Sequence, residues 1–119
     1  MIKTKEIGQR GEAIALEYLK KAGYRIIALN YRSRRLEIDI IAQRDKRLIF
    51  LEVKTRFQNK ADKNETPLSA NQVKNLKHAI IDYCFKNRIN PARAYLDLIV
   101  ISVNRTTKLA SLRHYSDIF

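Results

Sequence analysis

The stretch LEIDIIAQRDKRLIFLEVKTR, residues 36–56, decides how this chain is read. Its two parts, Leu36 to Ala42 and Leu48 to Thr55, are rich in branched and aromatic residues. The polar turn Arg44-Asp45-Lys46 joins them, so they read as paired strands. Strand alternation places Glu37 and Asp39 on one face and Ile38 and Ile40 on the other. In the second strand Glu52 and Lys54 share a face, opposite Leu51 and Val53. Charged side chains therefore stand inside segments otherwise suited to a core. Burying charge is expensive unless it is paired or bound to metal. The hairpin is either a functional site or a cross-strand ion pair between Lys54 and a carboxylate.

Working outward, Tyr24 to Tyr31 reads as a further strand, with Ile26 and Ala28 on one face and Ile27 and Leu29 on the other. A basic turn, Arg32-Ser33-Arg34-Arg35, leads from it into the hairpin, and the three strands form an antiparallel meander. Before them, apolar and small residues recur at helical spacing from Thr4 to Ala22, and Gly23 is a natural helix stop. After them, Phe57 to Pro67 has no apolar periodicity and reads as a mobile loop. Ser69-x-x-Gln72 then has the form of a capping box. It opens a helix whose buried stripe is Val73, Leu76, Ile80 and Tyr83, and Asn90-Pro91 ends that excursion. Tyr95 to Val103 is apolar enough for a central strand, and Leu109 to Tyr115 gives a last one. The predicted order is αβββαββ, an α/β fold with a mixed sheet of about five strands flanked by helices. Residues 1–119 are expected to form a single domain.

Twenty-four Lys and Arg against twelve Asp and Glu leave a formal charge of +12. Such a field attracts polyanions, because cations that contact phosphates release condensed counterions. Nucleic acid is the expected partner; an anionic membrane surface or an acidic protein is the alternative. The single cysteine, Cys84, excludes an internal disulfide and a cysteine-rich metal cluster. A lone thiol fits a reducing setting. With no signal-like or membrane-spanning stretch, a cytoplasmic protein without membrane association is expected.

The hairpin suits phosphodiester hydrolysis. Two carboxylates a few ångströms apart repel each other, and a hard divalent cation removes that repulsion through oxygen ligation. Magnesium keeps several waters and needs only one or two protein carboxylates, so Asp39 and Glu52 suffice as anchors for Mg2+ or Mn2+. The Val53 carbonyl, between Glu52 and Lys54, is a further candidate ligand. Lys54 would position the attacking water or offset negative charge on the phosphate.

The segments GEAIALEYLKKAGYRIIALNY, LEIDIIA and LIFLEVKTR resemble the YraN family of small bacterial proteins, over nearly the whole chain from Gly8 to about Val103. That family is classed with the PD-(D/E)xK nuclease-like fold and is similar to archaeal Holliday-junction resolvases. The most specific part is Asp39, twelve intervening residues, then Glu52-Val53-Lys54, after a helix carrying Glu12. The resemblance implies a restriction-endonuclease-like fold, Asp39 and Glu52 as the metal-binding acids, and Lys54 as the catalytic lysine. It also implies Glu12 as an extra acid facing the same centre. From its helix face, Glu12 sits among Gly8, Ala15, Leu16 and Leu19, an apolar setting for a carboxylate; the alternative is a solvated residue paired with Arg10 or Lys20. The resolvase likeness further implies branched DNA as substrate and a homodimer that cuts two strands symmetrically.

The chain departs from the family pattern at Leu36, where glycine is usual, and at Gln72, where a lysine is common. Gln72 either touches phosphate or water or serves Ser69 as its capping partner. Arg32, Arg34, Arg35, Arg56 and Lys74 are candidate phosphate contacts, and Glu37 is expected to neutralise Arg34 or Arg35. His78 and His114 are expected on the surface or in packing, Cys84 in the core, and Asp97 in a core hydrogen bond. Three functions follow: a metal-dependent endonuclease, a nucleic-acid-binding module with weak or no activity, or a basic protein-interaction scaffold.

Overall fold

The computed structural model describes residues 4–58 and 68–118. The elements are α1 (Thr4–Lys21), β1 (Arg25–Ser33), β2 (Leu36–Arg44), β3 (Arg47–Phe57), α2 (Ala70–Lys86), a short 3-10 turn (Pro91–Arg93), β4 (Ala94–Val103) and β5 (Ala110–Tyr115). The predicted order αβββαββ is observed. Helix α1 stops where expected. Gly23 takes φ of 90°, the Gly23 N–H bonds the Lys20 carbonyl, and the Tyr24 N–H bonds that of Leu19. This is a Schellman ending, which needs a left-handed residue at the glycine. Helix α2 starts with the capping box: the Gln72 N–H donates to Ser69 Oγ at 3.1 Å, and the Ser69 N–H donates to Gln72 Oε1 at 2.9 Å.

The five strands lie side by side in sequence order. β1, β2 and β3 form the predicted antiparallel meander, and β5 runs antiparallel to β4. Among the described residues only β3 and β4 are parallel, in unbroken register from Leu48 opposite Ala94 to Phe57 opposite Val103. Parallel neighbours need a long crossover, and α2 lies within it. Phe57 therefore ends a strand instead of opening a loop; the rest of the expected loop, from Asn59 to Pro67, lies outside the described residues.

The sheet separates two cores. On the α2 side, Ile38, Ile41, Phe50, Leu96, Leu98 and Val100 pack against Leu76, Ala79, Ile80 and Cys84 of the helix. On the α1 side, Ile40, Ala42, Ile49, Leu51, Ile99 and Ile101 pack against Ala15 and Leu19. α1 approaches β3 closely at Gly11, where an added Cβ would lie 1.8 Å from Thr55 Oγ1. A glycine is required there for α1 to rest on β3.

Two expected face assignments fail, both for the same kind of reason. Ile26 packs on the α1 side and Ala28 on the α2 side, because the β1–β2 register shifts between them. A bulge adds one residue and turns the following side chains over. Likewise Ile38 packs on the α2 side and Ile40 on the α1 side. Here β1 carries Asn30 at φ 50°, and no Asn30–Asp39 pair interrupts the run from Leu29 opposite Ile40 to Tyr31 opposite Ile38. Asp39 thus lies across from the left-handed Asn30 of β1.

Candidate active site

β2 and β3 pair from Arg44 opposite Arg47 up to Ile40 opposite Leu51, and there the ladder ends. Beyond that point the strands fork, and the fork holds the candidate site. The Val53 N–H, which a β2 carbonyl would have satisfied in a continued ladder, donates instead to Asp39 Oδ2 at 2.8 Å. N–H and C=O of one residue point the same way along an extended strand. The Val53 carbonyl therefore also opens towards the fork, away from β4.

Glu52 points to the α2 side, and its carboxyl lies close to that of Asp39. Burial, then the closeness and charge of Asp39, push its pKa up to about 9, while Lys54 and the Val53 N–H pull the other way. A raised carboxyl beside a second carboxylate is the expected result when two acids share a confined space without a cation. Lys54 follows Glu52 on the same face, half-buried and close enough for its charge to act on Glu52.

Glu12, on α1, comes to the same place. It is half-buried, and its carboxyl is raised by burial first and then by the charges of Asp39 and Glu37. Among the described residues no three His, Cys, Asp or Glu side chains converge as a metal cage. The tight pair is Asp39 and Glu52, with Glu12 acting on it through charge. Two carboxylates and an outward carbonyl are a donor set that suits a hard, partly hydrated cation.

A cavity of about 190 Å³ adjoins Glu52, lined by Arg35, Leu36, Glu37, Glu52, Gln72, Asn75 and Leu76. Of the candidate phosphate contacts, Arg35 and Gln72 reach it. Gln72 caps α2 with its oxygen, which is the capping reading, and it also lines the cavity. Arg32 is exposed and lies 3.8 Å from Glu37, which takes this partner in place of Arg34 or Arg35. Arg34 adjoins Asp82 of α2, whose carboxyl is held below its ordinary range by the Ser33 hydroxyl and Lys86, with Arg34 adding a smaller pull. Arg56 is half-buried on β3 opposite Ser102, and Lys74 is exposed on α2; neither lines the cavity. Sequence reasoning missed Asn75. Its signal was position, one helical turn beyond Gln72 on the same face.

Away from the fork, a buried chain joins α1, β4 and β5. Asp97, only 3% exposed, accepts from His114 Nε2 at 2.7 Å and from the Asp117 N–H at 2.9 Å. The Tyr18 hydroxyl lies 2.7 Å from His114 Nδ1. The carboxylate selects the Nε2–H tautomer, which leaves Nδ1 to accept from Tyr18. Asp97 is the core hydrogen-bonding residue expected, and His78 is exposed. His114 belongs to a polar network that its sequence neighbours did not announce. Cys84 is a fully buried core residue, as expected.

The model for Uncharacterised protein family UPF0102 matches residues 11–101. A UPF0102 protein of Chlorobium phaeobacteroides is 36% identical over 95% of this chain and 92% of its own length. One from Alkaliphilus oremlandii is 35% identical over 98% of this chain and 99% of its own. Among solved structures, Archaeoglobus fulgidus Hjc, a Holliday junction resolvase, aligns with a TM-score of 0.47 and 23% identity, over 92% of this chain and 71% of that one. Pyrococcus furiosus SfsA in complex with Ca2+ aligns with a TM-score of 0.48 and 14% identity, over 98% and 64%. Among the described residues no helix is long and apolar enough to cross a membrane.

Proposed function

This chain belongs to the uncharacterised protein family UPF0102, the YraN family, and from that premise we propose that it is a metal-dependent endonuclease acting on nucleic acid, with branched DNA as its substrate. One observation carries the reading: Asp39 and Glu52 meet in the β2–β3 fork, with the Val53 N–H anchoring Asp39. The +12 formal charge supports a polyanionic partner.

Asp39, Glu52 and the Val53 carbonyl would hold Mg2+ or Mn2+. When bound, the cation would lower the pKa of a water and offset charge on the phosphate. Of the chain's own groups, Asp39 is held in place by Val53, so its carboxylate is oriented before any ligand arrives. Glu52 releases its proton once a positive charge relieves the repulsion from Asp39. Lys54 lies on the Glu52 face, placed to meet the extra negative charge of a pentacovalent phosphate or to orient the attacking water. Glu12 adds negative potential from the α1 side. Arg35 and Gln72 contact the nucleic acid next to the cut. A homodimer would present two such forks to two strands. The lone buried Cys84 supports a reducing, cytoplasmic setting.

A binding module without turnover is the second reading, favoured by the absence, among the described residues, of a third acidic ligand beside Asp39 and Glu52. Incubation with linear, nicked, flapped and four-way DNA at low salt, with magnesium, manganese or chelator, separates the two. Metal-dependent cleavage lost in Asp39→Ala and Glu52→Ala, with binding retained, supports the nuclease. Binding without cleavage of every substrate supports the module, and absence of binding overturns both.

A further inference from the structure

The cavity beside Glu52 has a lining that a phosphate would not select. Phosphate oxygens only accept hydrogen bonds, so a phosphate pocket gathers donors. Here two carboxyl groups, those of Glu37 and Glu52, stand in the wall together with the donors of Arg35 and Gln72. The Gln72 oxygen is engaged by the Ser69 N–H, which leaves its amide N–H groups to face outward. Asn75 has no hydrogen-bond partner among the described residues, so its amide offers both a donor and an acceptor. Leu36 and Leu76 contribute the apolar part of the lining. A group that fits carries its own N–H donors and acceptors around a flat apolar body.

The size agrees. About 190 Å³ is space for one heterocycle. Resting on the nuclease reading of the fork, we infer that this cavity receives a single unstacked nucleobase bearing an exocyclic amino group, next to the phosphate that a cation at Asp39 and Glu52 would hold. Asparagine and glutamine amides pair with the adenine N6–N7 edge, and a carboxylate accepts from cytosine N4. Thymine lacks the amino group and would leave the Glu37 carboxylate facing its carbonyl oxygens. Extruding a base costs least where it is already unpaired. The substrate class is therefore nucleic acid with an unpaired adenine or cytosine at the site of attack, as occurs at junctions, bulges and flaps.

The test is fluorescence-anisotropy binding of the full chain at one fixed low salt concentration, with chelator so that nothing is cut. Three duplexes of equal length are compared: fully paired, with one unpaired adenine, and with one unpaired thymine. The unpaired adenine is expected to bind about tenfold tighter than either of the others. Asn75→Phe, which fills the cavity from the exposed face of α2, is expected to bring that ratio close to one. Asn75→Leu is a second variant, and melting curves confirm that each is folded. Equal affinity for all three duplexes overturns the base pocket and leaves nucleic-acid binding standing. A ratio that survives both variants overturns the assignment to this cavity. No binding to any duplex overturns the nuclease reading as well.

Discussion

Asp39 replaces a strand: its Oδ2 takes the Val53 N–H at 2.8 Å, the bond that the β2 backbone gives up where the ladder stops at Ile40 and Leu51. A buried N–H is seldom left unpaired, so the side chain that fills the gap is fixed by the same bond that ends the sheet. Opening the fork and orienting its acid are one event.

Glu52 sets the pH dependence of the cation-free protein. Its pKa is pushed up to about 9 in the fold, against an ordinary value of 4.5. Between those values the folded chain holds a proton that the unfolded chain has released, so stability falls as pH rises through this window. Glu52→Gln, which keeps the shape and removes the titration, should stabilise the cation-free protein at pH 8 by about 1–3 kcal/mol. It should also flatten the decline. Urea unfolding at pH 5 and pH 8 checks both; a wild-type midpoint that rises between them contradicts this account.

A divalent cation should reverse that penalty. Binding to the folded state alone adds about 2.7 kcal/mol at a hundred times the dissociation constant. Magnesium or manganese should raise the melting temperature of the wild-type protein, more at pH 8 than at pH 5, because the proton on Glu52 competes with the cation. Asp39→Ala and Glu52→Ala should lose the shift. Equal shifts in wild type and both variants would place the cation elsewhere.

Gly11 and Thr55 oppose the usual effect of alanine in a helix. Propensity alone predicts that Gly11→Ala stabilises by about 1 kcal/mol. An added Cβ would lie 1.8 Å from Thr55 Oγ1 and 3.0 Å from its Cβ, so a net loss of about 1–3 kcal/mol is expected. Thr55→Ala removes the nearest atom and should recover part of it, a coupling visible in a double-mutant cycle. The Thr55 hydroxyl is itself buried without a hydrogen-bond partner among the described residues. Thr55→Val alone should therefore be neutral or slightly stabilising.

The Tyr18–His114–Asp97 chain is read here as a structural tie. Tyr18→Phe removes one hydrogen bond and should cost about 0.5–1.5 kcal/mol. Asp97→Ala strands His114 and the Asp117 N–H and should cost more, about 3 kcal/mol. Neither change should alter DNA affinity at fixed salt in protein that remains folded. A selective loss of binding in Tyr18→Phe would show that this chain serves the ligand.

What the sequence made legible was whatever depends on near neighbours. The Ser69–Gln72 box, the Gly23 stop and the α2 stripe are spaced within a turn or two, and all stand as read. The acid pair was legible because the β2–β3 hairpin is local. The bulge at Ile26–Ala28 and the left-handed Asn30 were not, since Arg25 to Leu29 reads as a regular strand and tertiary packing selects the irregular one. The same irregularity set Ile38 and Ile40 on opposite faces. Asn75 was passed over because an exposed helical asparagine has no distinguishing pattern until Glu52 stands across from it. His114 packs, as one reading had it, but its hydrogen-bond partners could not be named because they are 17 and 96 residues away in the chain.

The parallel seam between β3 and β4 divides the inheritance of the candidate site. Its acids and its lysine all arise between Glu12 and Lys54, in a helix and a meander built from local pairings. The facing amides, Gln72 and Asn75, arrive on the crossover helix from a separate stretch of the polypeptide. The proposed reacting groups and the proposed base contacts thereby lie in different segments of the chain. Drift or deliberate exchange in the first turns of α2 can retune what is gripped while the reacting groups stay as they are.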